Sequence, residues 1–109
     1  MAKNDTLQGS LDLLVLKVLS RRAPLHGYAI ISAIKQVSGE VLCVEEGSLY
    51  PTLQRMLVEG WVTAESGLSE TGRKVRFYTL TRDGVKQLKH EIADYEQATA
   101  AIQAILRTA

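Results

Sequence analysis

Apolar residues recur at helical spacing in three short segments of the first half of the chain. Residues 11–19 are apolar on nearly every side, whereas residues 27–37 and 48–59 each carry one apolar stripe. Three short helices with tight joins are typical of a helix-turn-helix core. We expect Ser10 to cap the first helix, with Asp12 in its first turn. The stripes consist of Ile30, Ile31, Ile34 and Val37, and of Leu49, Leu53, Met56 and Leu57.

The hydrophobic period changes after residue 60. Residues 61–65 and 75–80 are rich in β-branched and aromatic side chains, and the polar stretch 66–72 separates them. This pattern predicts a β-hairpin with a mobile tip, with Trp61 covering its base. A hairpin directly after a third helix is the wing of a winged helix-turn-helix. The predicted fold is therefore mainly α with a small β-hairpin.

The last segment, residues 82–106, carries a heptad seam over about three repeats. Such a narrow stripe can lie on its own domain, but its length beyond the core favours self-association. We therefore predict a winged helix-turn-helix domain over residues 1–81 and a dimerisation helix over residues 82–109, together one compact unit. The seam consists of Val85, Leu88, Ile92, Tyr95, Thr99, Ile102 and Leu106.

Composition excludes several classes of protein. The single cysteine, Cys43, rules out an internal disulfide and reads as a packed thiol, and the two histidines lack zinc-ligand spacing. No nucleophile–base pair or glycine-rich phosphate loop occurs, so we predict neither an enzyme nor a bound cofactor. No apolar run suits a membrane span and residues 1–5 do not resemble a signal peptide, which predicts a cytoplasmic protein.

Charge is distributed unevenly, although the net charge is only +1. Residues 40–70 contain six acids and one base, whereas residues 73–89 contain six bases and one acid. This asymmetry indicates either a local electrostatic footprint for nucleic acid or a solvated basic face.

The outer face of the third helix offers candidate DNA contacts. Gln54 and Arg55 suit adenine and guanine edges, and Ser48 at the helix start suits a phosphate oxygen. Pro51 requires a helix start near Ser48. As alternatives, Ser48 is simply the N-cap and Arg55 pairs with Glu59. Two acids just before this helix, Glu45 and Glu46, would repel phosphates and count against the prediction that the helix contacts DNA.

Three cations flank the predicted wing loop. Arg73, Lys74 and Arg76 are placed to reach backbone phosphates or the minor groove. Tyr28 and Tyr50 can each donate a hydroxyl to phosphate, although a partly buried core position suits them equally. His26 is expected to cap or pack at the second helix.

Taken together, these residues resemble the PadR family of transcriptional regulators over nearly the whole chain. The resemblance implies a winged helix that binds double-stranded operator DNA as a homodimer and represses nearby genes. By position, Ser48, Tyr50, Pro51, Thr52 and Arg55 fall on the recognition helix, and the three cations fall on the wing. The matching segments are GSLDLLVL (9–16), LHGY (25–28), GSLYPTL (47–53), GWV (60–62), GR (72–73), FYTLT (77–81) and Gly84.

The resemblance also implies a small-molecule effector in some members. Short members bind flat aromatic compounds through tryptophans on the C-terminal helix, but the only aromatic residue on that helix here is Tyr95. We expect at most a modest pocket for a small hydrophobic or phenolic effector around Leu11, Ile92, Tyr95 and Thr99. The rival interpretation is a winged helix for protein–protein assembly, which the acidic Glu45–Glu46 pair and the low net charge support.

Overall fold

Four helices and a small antiparallel sheet make up the computed structural model, which describes residues 2–109, with side chains from residue 10 onward. The predicted mainly helical class is confirmed. No helix in this described part combines the length and apolar character that a membrane crossing requires. The elements are α1 (Ala2–Arg22), β1 (Leu25–His26), α2 (Gly27–Val37), α3 (Glu46–Glu59), β2 (Val62–Leu68), β3 (Lys74–Leu80) and α4 (Arg82–Leu106).

Helix α1 runs through the centre of the fold and packs against α2, α3, α4 and β3. This position explains why residues 11–19 are apolar on nearly every side. The core that surrounds α1 draws residues from every helix and from the sheet. Its members are Leu11, Val15, Leu16, Leu19, Ile30, Ile34, Val44, Leu49, Leu53, Met56, Val62, Tyr78 and Leu88.

The start of α1 differs from the prediction. The helix already begins at Ala2, so Ser10 lies within it and is not its N-cap. A glycine inside a helix costs only about 1 kcal/mol relative to alanine, and Gly9 therefore does not end the helix. As a result, Asp12 lies in the middle of α1 and not in its first turn.

Helix α3 begins two residues before the predicted start. Glu45 is the N-cap residue and makes no side-chain capping bond, so Ser48 is not the N-cap. Pro51 is consequently the sixth helical residue, not a first-turn residue, and has no N–H to donate to the carbonyl of Gly47. The helix ends at Gly60, whose φ of 80° is left-handed, and the Trp61 N–H donates to the carbonyl of Met56.

The predicted hairpin is confirmed, and a third strand joins it. Strands β2 and β3 pair from Val62–Leu80 to Leu68–Lys74, so the predicted loop 66–72 is partly strand. The tip is closed by backbone bonds from the Ser69 N–H to the Arg73 carbonyl and from the Gly72 N–H to the Ser69 carbonyl, both 2.9 Å. Strand β1, which the sequence analysis missed, pairs with the other edge of β3.

Helix α4 is anchored at its start by Thr81. The Thr81 hydroxyl donates to the Gly60 carbonyl (2.6 Å) and accepts from the Gly84 N–H (3.0 Å). The first part of the predicted seam then packs on the subunit itself: Leu88 is buried in the core and Ile92 packs against it. Leu88 is thus a core residue of its own subunit, contrary to its predicted place at a dimer interface. Exposed seam positions are Val85, Tyr95, Ile102 and Leu106.

Candidate nucleic-acid interface

An open groove of about 1330 Å³ lies between the start of α2, the side of α3 and the β2–β3 hairpin. Its walls include seven of the ten predicted DNA-binding residues, although these are spread over half of the chain. Ser48, Thr52 and Arg55 are not among the lining residues. The seven that line it are Tyr28, Tyr50, Pro51, Gln54, Arg73, Lys74 and Arg76.

Strand β1 places the start of α2 beside the wing. His26 pairs with Phe77 of β3, and the two rings meet edge-to-face with centroids 5.6 Å apart. The His26 Nδ1 accepts the Ala29 N–H at 3.2 Å, which caps α2 as predicted. One histidine at the edge of the groove therefore joins the start of α2 to the sheet.

Two tyrosines mark the α2–α3 side of the groove. Tyr28 is 67% exposed and Tyr50 is 43% exposed, so neither is a core residue. The pKa of the Tyr50 hydroxyl is raised above its ordinary value by burial, then by the nearby Glu46 carboxylate and by Tyr78. Tyr50 therefore stays protonated at neutral pH and remains a hydrogen-bond donor.

The wing supplies the positive charge of the groove. Arg73, Lys74 and Arg76 are exposed, and none forms an ion pair with a side chain among residues 10–109. Lys74 and Arg76 are two residues apart on β3 and so point to the same face of the hairpin. These charges are available to an anionic ligand without breaking an existing ion pair.

Acidic side chains also border the groove, and the structure separates the two glutamates that counted against DNA binding. Glu46 and Glu70 line the groove, whereas Glu45 does not. Glu46 lies one helical turn before Tyr50 and two turns before Gln54, on the same side of α3. The groove is therefore mixed in charge, with three cations on the wing facing one carboxylate on α3.

Arg55 points away from the groove and has a different partner from the one considered in the sequence analysis. Its Nη2 donates to Asp12 Oδ1 of α1 at 2.5 Å, so the observed ion pair is with Asp12 and not with Glu59. This hydrogen bond raises the pKa of the Arg55 guanidinium. Nearby, the Thr52 hydroxyl donates to the Ser48 carbonyl at 3.1 Å.

The residues of the predicted effector pocket lie apart from this groove. Leu11 is 2% exposed within the core, so it does not border an open cavity. Ile92 and Thr99 are half-buried and Tyr95 is exposed on α4. Cys43 is exposed, so the prediction of a packed thiol is wrong. In the described part of the chain, no three His, Cys, Asp or Glu side chains come together as a metal site would require.

Comparison with known proteins identifies the family. The model of the "Transcriptional regulator PadR-like family" matches residues 15–90. The negative transcriptional regulator PadR of Bacillus subtilis (strain 168) is 31% identical over 70 residues, which are 64% of this chain and 38% of that protein. The chain thus spans well under half of the length of that relative.

Solved structures agree with this assignment. A PadR-like transcriptional regulator from Bacillus cereus ATCC 14579 superimposes with a TM-score of 0.80 at 25% identity, over 96% of this chain and 99% of that one. Bacillus subtilis PadR in complex with operator DNA gives a TM-score of 0.66 at 29% identity, over 75% and 45%. These relatives are regulators and not enzymes, as the sequence predicts. The chain belongs to the PadR-like family of transcriptional regulators.

Proposed function

We propose that this chain is a sequence-specific regulator that binds double-stranded DNA as a homodimer and represses transcription. The observation that carries this proposal is the groove, because it combines the outer side of a helix with three wing cations that form no ion pair with the side chains of residues 10–109. The operator complex of the Bacillus subtilis protein, to which this fold is similar, supports the same kind of ligand.

Helix α3 is the proposed recognition element. The major groove of B-DNA, roughly 12 Å wide, admits one α-helix. The exposed amide of Gln54 can pair with the N6 and N7 of adenine, and Pro51 offers a small apolar contact. The hydroxyls of Tyr28 and Tyr50 donate to phosphates. Ser48 and Thr52, on the neighbouring side of α3, take secondary contacts to the backbone.

The wing is proposed to hold the DNA backbone. Arg73, Lys74 and Arg76 contact phosphates or the adjacent minor groove, which fixes the register of the protein without reading sequence. The Glu46 carboxylate on the opposite wall weakens the attraction of a phosphate to the α3 side. The charged backbone contacts are therefore assigned to the wing, and the α2–α3 side contributes base contacts and neutral hydroxyl bonds to phosphate.

The dimer is proposed to form through the second half of α4. This half extends beyond the core and leaves apolar side chains in solvent, which a second copy would cover. Tyr95, Ile102, Ile105 and Leu106 are between 52% and 77% exposed. Two recognition helices would then reach half-sites about 34–36 Å apart. Residues 1–81 form the DNA-binding unit in this proposal, and residues 82–109 form the dimerisation unit.

The proposed mode of regulation is repression, because the similar Bacillus subtilis protein PadR is a negative transcriptional regulator. A small hydrophobic or phenolic effector would bind along α4 at Ile92, Tyr95 and Thr99, with Leu11 beneath it as core. A thermal-shift screen with phenolic and hydrophobic compounds tests this site. Stabilisation of the wild-type chain that is lost in Tyr95→Ala supports the site, and a screen without any stabiliser contradicts it.

A fluorescence-anisotropy titration tests DNA binding. The protein is titrated against labelled DNA from upstream of its own gene and against a genomic library of fragments, with scrambled competitor. With 6–10 phosphate contacts per dimer, affinity should fall by about 10³–10⁵ between 50 and 200 mM salt. Saturable binding that scrambled DNA cannot displace supports the proposal. Weak binding that is insensitive to sequence and salt favours the rival, an assembly module, which the carboxylates of Glu46 and Glu70 in the groove would suit.

A further inference from the structure

Arg55 lies on the recognition helix, but its guanidinium contacts the protein on two sides. Nη2 donates to Asp12 Oδ1 on α1, and the guanidinium carbon lies 6.0 Å from the centre of the Trp61 ring. Asp12 is the more enclosed partner, with its side chain 20% exposed against 48% for Arg55. Both contacts are typical of an arginine that holds elements together.

The two partners of Arg55 lie beside the hydrophobic core. Asp12 lies between the core residues Leu11 and Val15 on α1. Trp61 follows the end of α3 directly, and its carbonyl accepts the N–H of Thr81 at the start of α4. Arg55 therefore connects the last turns of α3 to the central helix and to the junction with α4.

A bidentate contact to guanine by Arg55 would compete with this arrangement, because Nη2 already donates to Asp12. If the guanidinium moved to a base, the Asp12 carboxylate would lose its only ion-pair partner among the described side chains. Arg55 also lies outside the set of residues that line the groove, whereas Gln54 lies within it. Gln54 and Arg55, which were both predicted to contact bases, therefore have different surroundings in the structure.

We propose that Arg55 is a positioning residue for DNA binding: with Asp12 and Trp61 it fixes the orientation of α3, and it does not itself contact a base. This inference rests on the proposed DNA-binding function. It predicts that the Asp12–Arg55 pair acts as a unit, so that removal of either partner has the same effect on operator affinity. A direct contact would instead make Arg55 important and Asp12 dispensable.

A double-mutant cycle on operator affinity separates these roles. Asp12→Asn, Arg55→Gln and the double variant are compared with the wild type at several salt concentrations. Arg73→Gln on the wing is the matched control for the loss of an arginine that does contact DNA. Urea unfolding establishes that each variant is folded in the assay. Asp12→Ser or Arg55→Met replaces the corresponding variant if it is not.

The expected result is that each single variant raises the operator Kd about two- to fivefold, as a partly exposed ion pair would. The double variant is no weaker than the worse single variant, and the salt slope stays that of the wild type, whereas Arg73→Gln lowers it by about 1. Wild-type affinity in Asp12→Asn together with a lost preference for one operator base in Arg55→Gln overturns the assignment. So does a lower urea midpoint with unchanged Kd, which marks a purely structural pair. Failure of the wild type to bind any DNA overturns the proposed function itself.

Discussion

The ring of Tyr50 on α3 lies directly against the backbone of Gly27, the first residue of α2. A Cβ added to Gly27 would lie 2.8 Å from Cζ of that ring and 2.9 Å from Cε1, closer than real Cβ contacts allow. The absence of a side chain at Gly27 therefore lets Tyr50 sit at the rim of the groove. Gly27 in the segment LHGY (25–28) and Tyr50 in the segment GSLYPTL (47–53) therefore meet in the folded chain.

Gly27→Ala is expected to push the Tyr50 ring out of place. Because the ring is partly exposed and can move, the overlap should cost at most about 1 kcal/mol of folding free energy in urea unfolding, but it should weaken operator binding. In a Tyr50→Ala background the same substitution should be nearly neutral, because the ring that it meets is gone. An equal loss in both backgrounds would show that Gly27 matters for another reason.

Gly84→Ala should be more damaging, because the added Cβ would meet backbone instead of a movable ring. It would lie 3.1 Å from the carbonyl carbon of Trp61 and closer still to its oxygen. We expect a loss of at least about 2 kcal/mol in urea unfolding. Gly47→Ala is the control, since nothing lies within 4 Å of its Cβ, and it should be neutral or stabilising by up to about 1 kcal/mol. Similar losses at both glycines would contradict this packing argument.

Tyr50 is expected to ionise at higher pH than an ordinary tyrosine. Its folded pKa is raised above the unfolded value of 10.0, so the folded state favours the protonated hydroxyl. The resulting contribution to stability is complete below pH 10.0 and is lost as the pH rises through the folded pKa. Ultraviolet absorbance of the phenolate follows the titration, and Tyr50→Phe should remove the late phase. Glu46→Gln should lower the Tyr50 pKa only in part, because burial is the larger cause.

Lys74→Gln should weaken the binding of every DNA sequence by the same factor. Its proposed partner is a phosphate, so the slope of log K against log salt should fall by about 1. Lys35→Gln serves as the control, because Lys35 is exposed on α2 and does not line the groove. Anisotropy titrations with specific and scrambled DNA measure both effects. A loss confined to the specific sequence would show that Lys74 reads bases.

Substitutions at two residues of the heptad seam should have different effects, one on the stability of the fold and one on the dimer. Leu88→Ala should cost about 2–5 kcal/mol of subunit stability, because it leaves a cavity in the core. Ile102→Ser should leave the folded subunit intact and shift the dimer towards monomer, because Ile102 is 56% exposed. Sedimentation velocity and urea unfolding distinguish the two effects. An unchanged sedimentation coefficient in Ile102→Ser would place the dimer interface elsewhere.

The elements that could be predicted from sequence are those whose signal is local. The stripes on α2 and α3, the alternation in the hairpin and the seam on α4 arise from side-chain periods within one segment. They sufficed to place Tyr50, Gln54 and the wing cations on the elements that border the groove. Element boundaries were less certain, and α1 and α3 both begin earlier than their apparent N-caps indicate.

The remaining features depend on residues that meet across the chain. Strand β1 is only two residues long and exists because β3 has a free edge beside it. The partner of Arg55 is Asp12, 43 positions away, and not Glu59 on the same helix. Sequence periodicity identified the apolar faces, because the spacing of apolar residues within one helix marks the side that becomes buried. Only the packing of α1 against α3 decided that the Arg55 guanidinium contacts Asp12. Only the packing of α1 against α4 decided that Leu88 and Ile92 of the seam are covered by the chain itself.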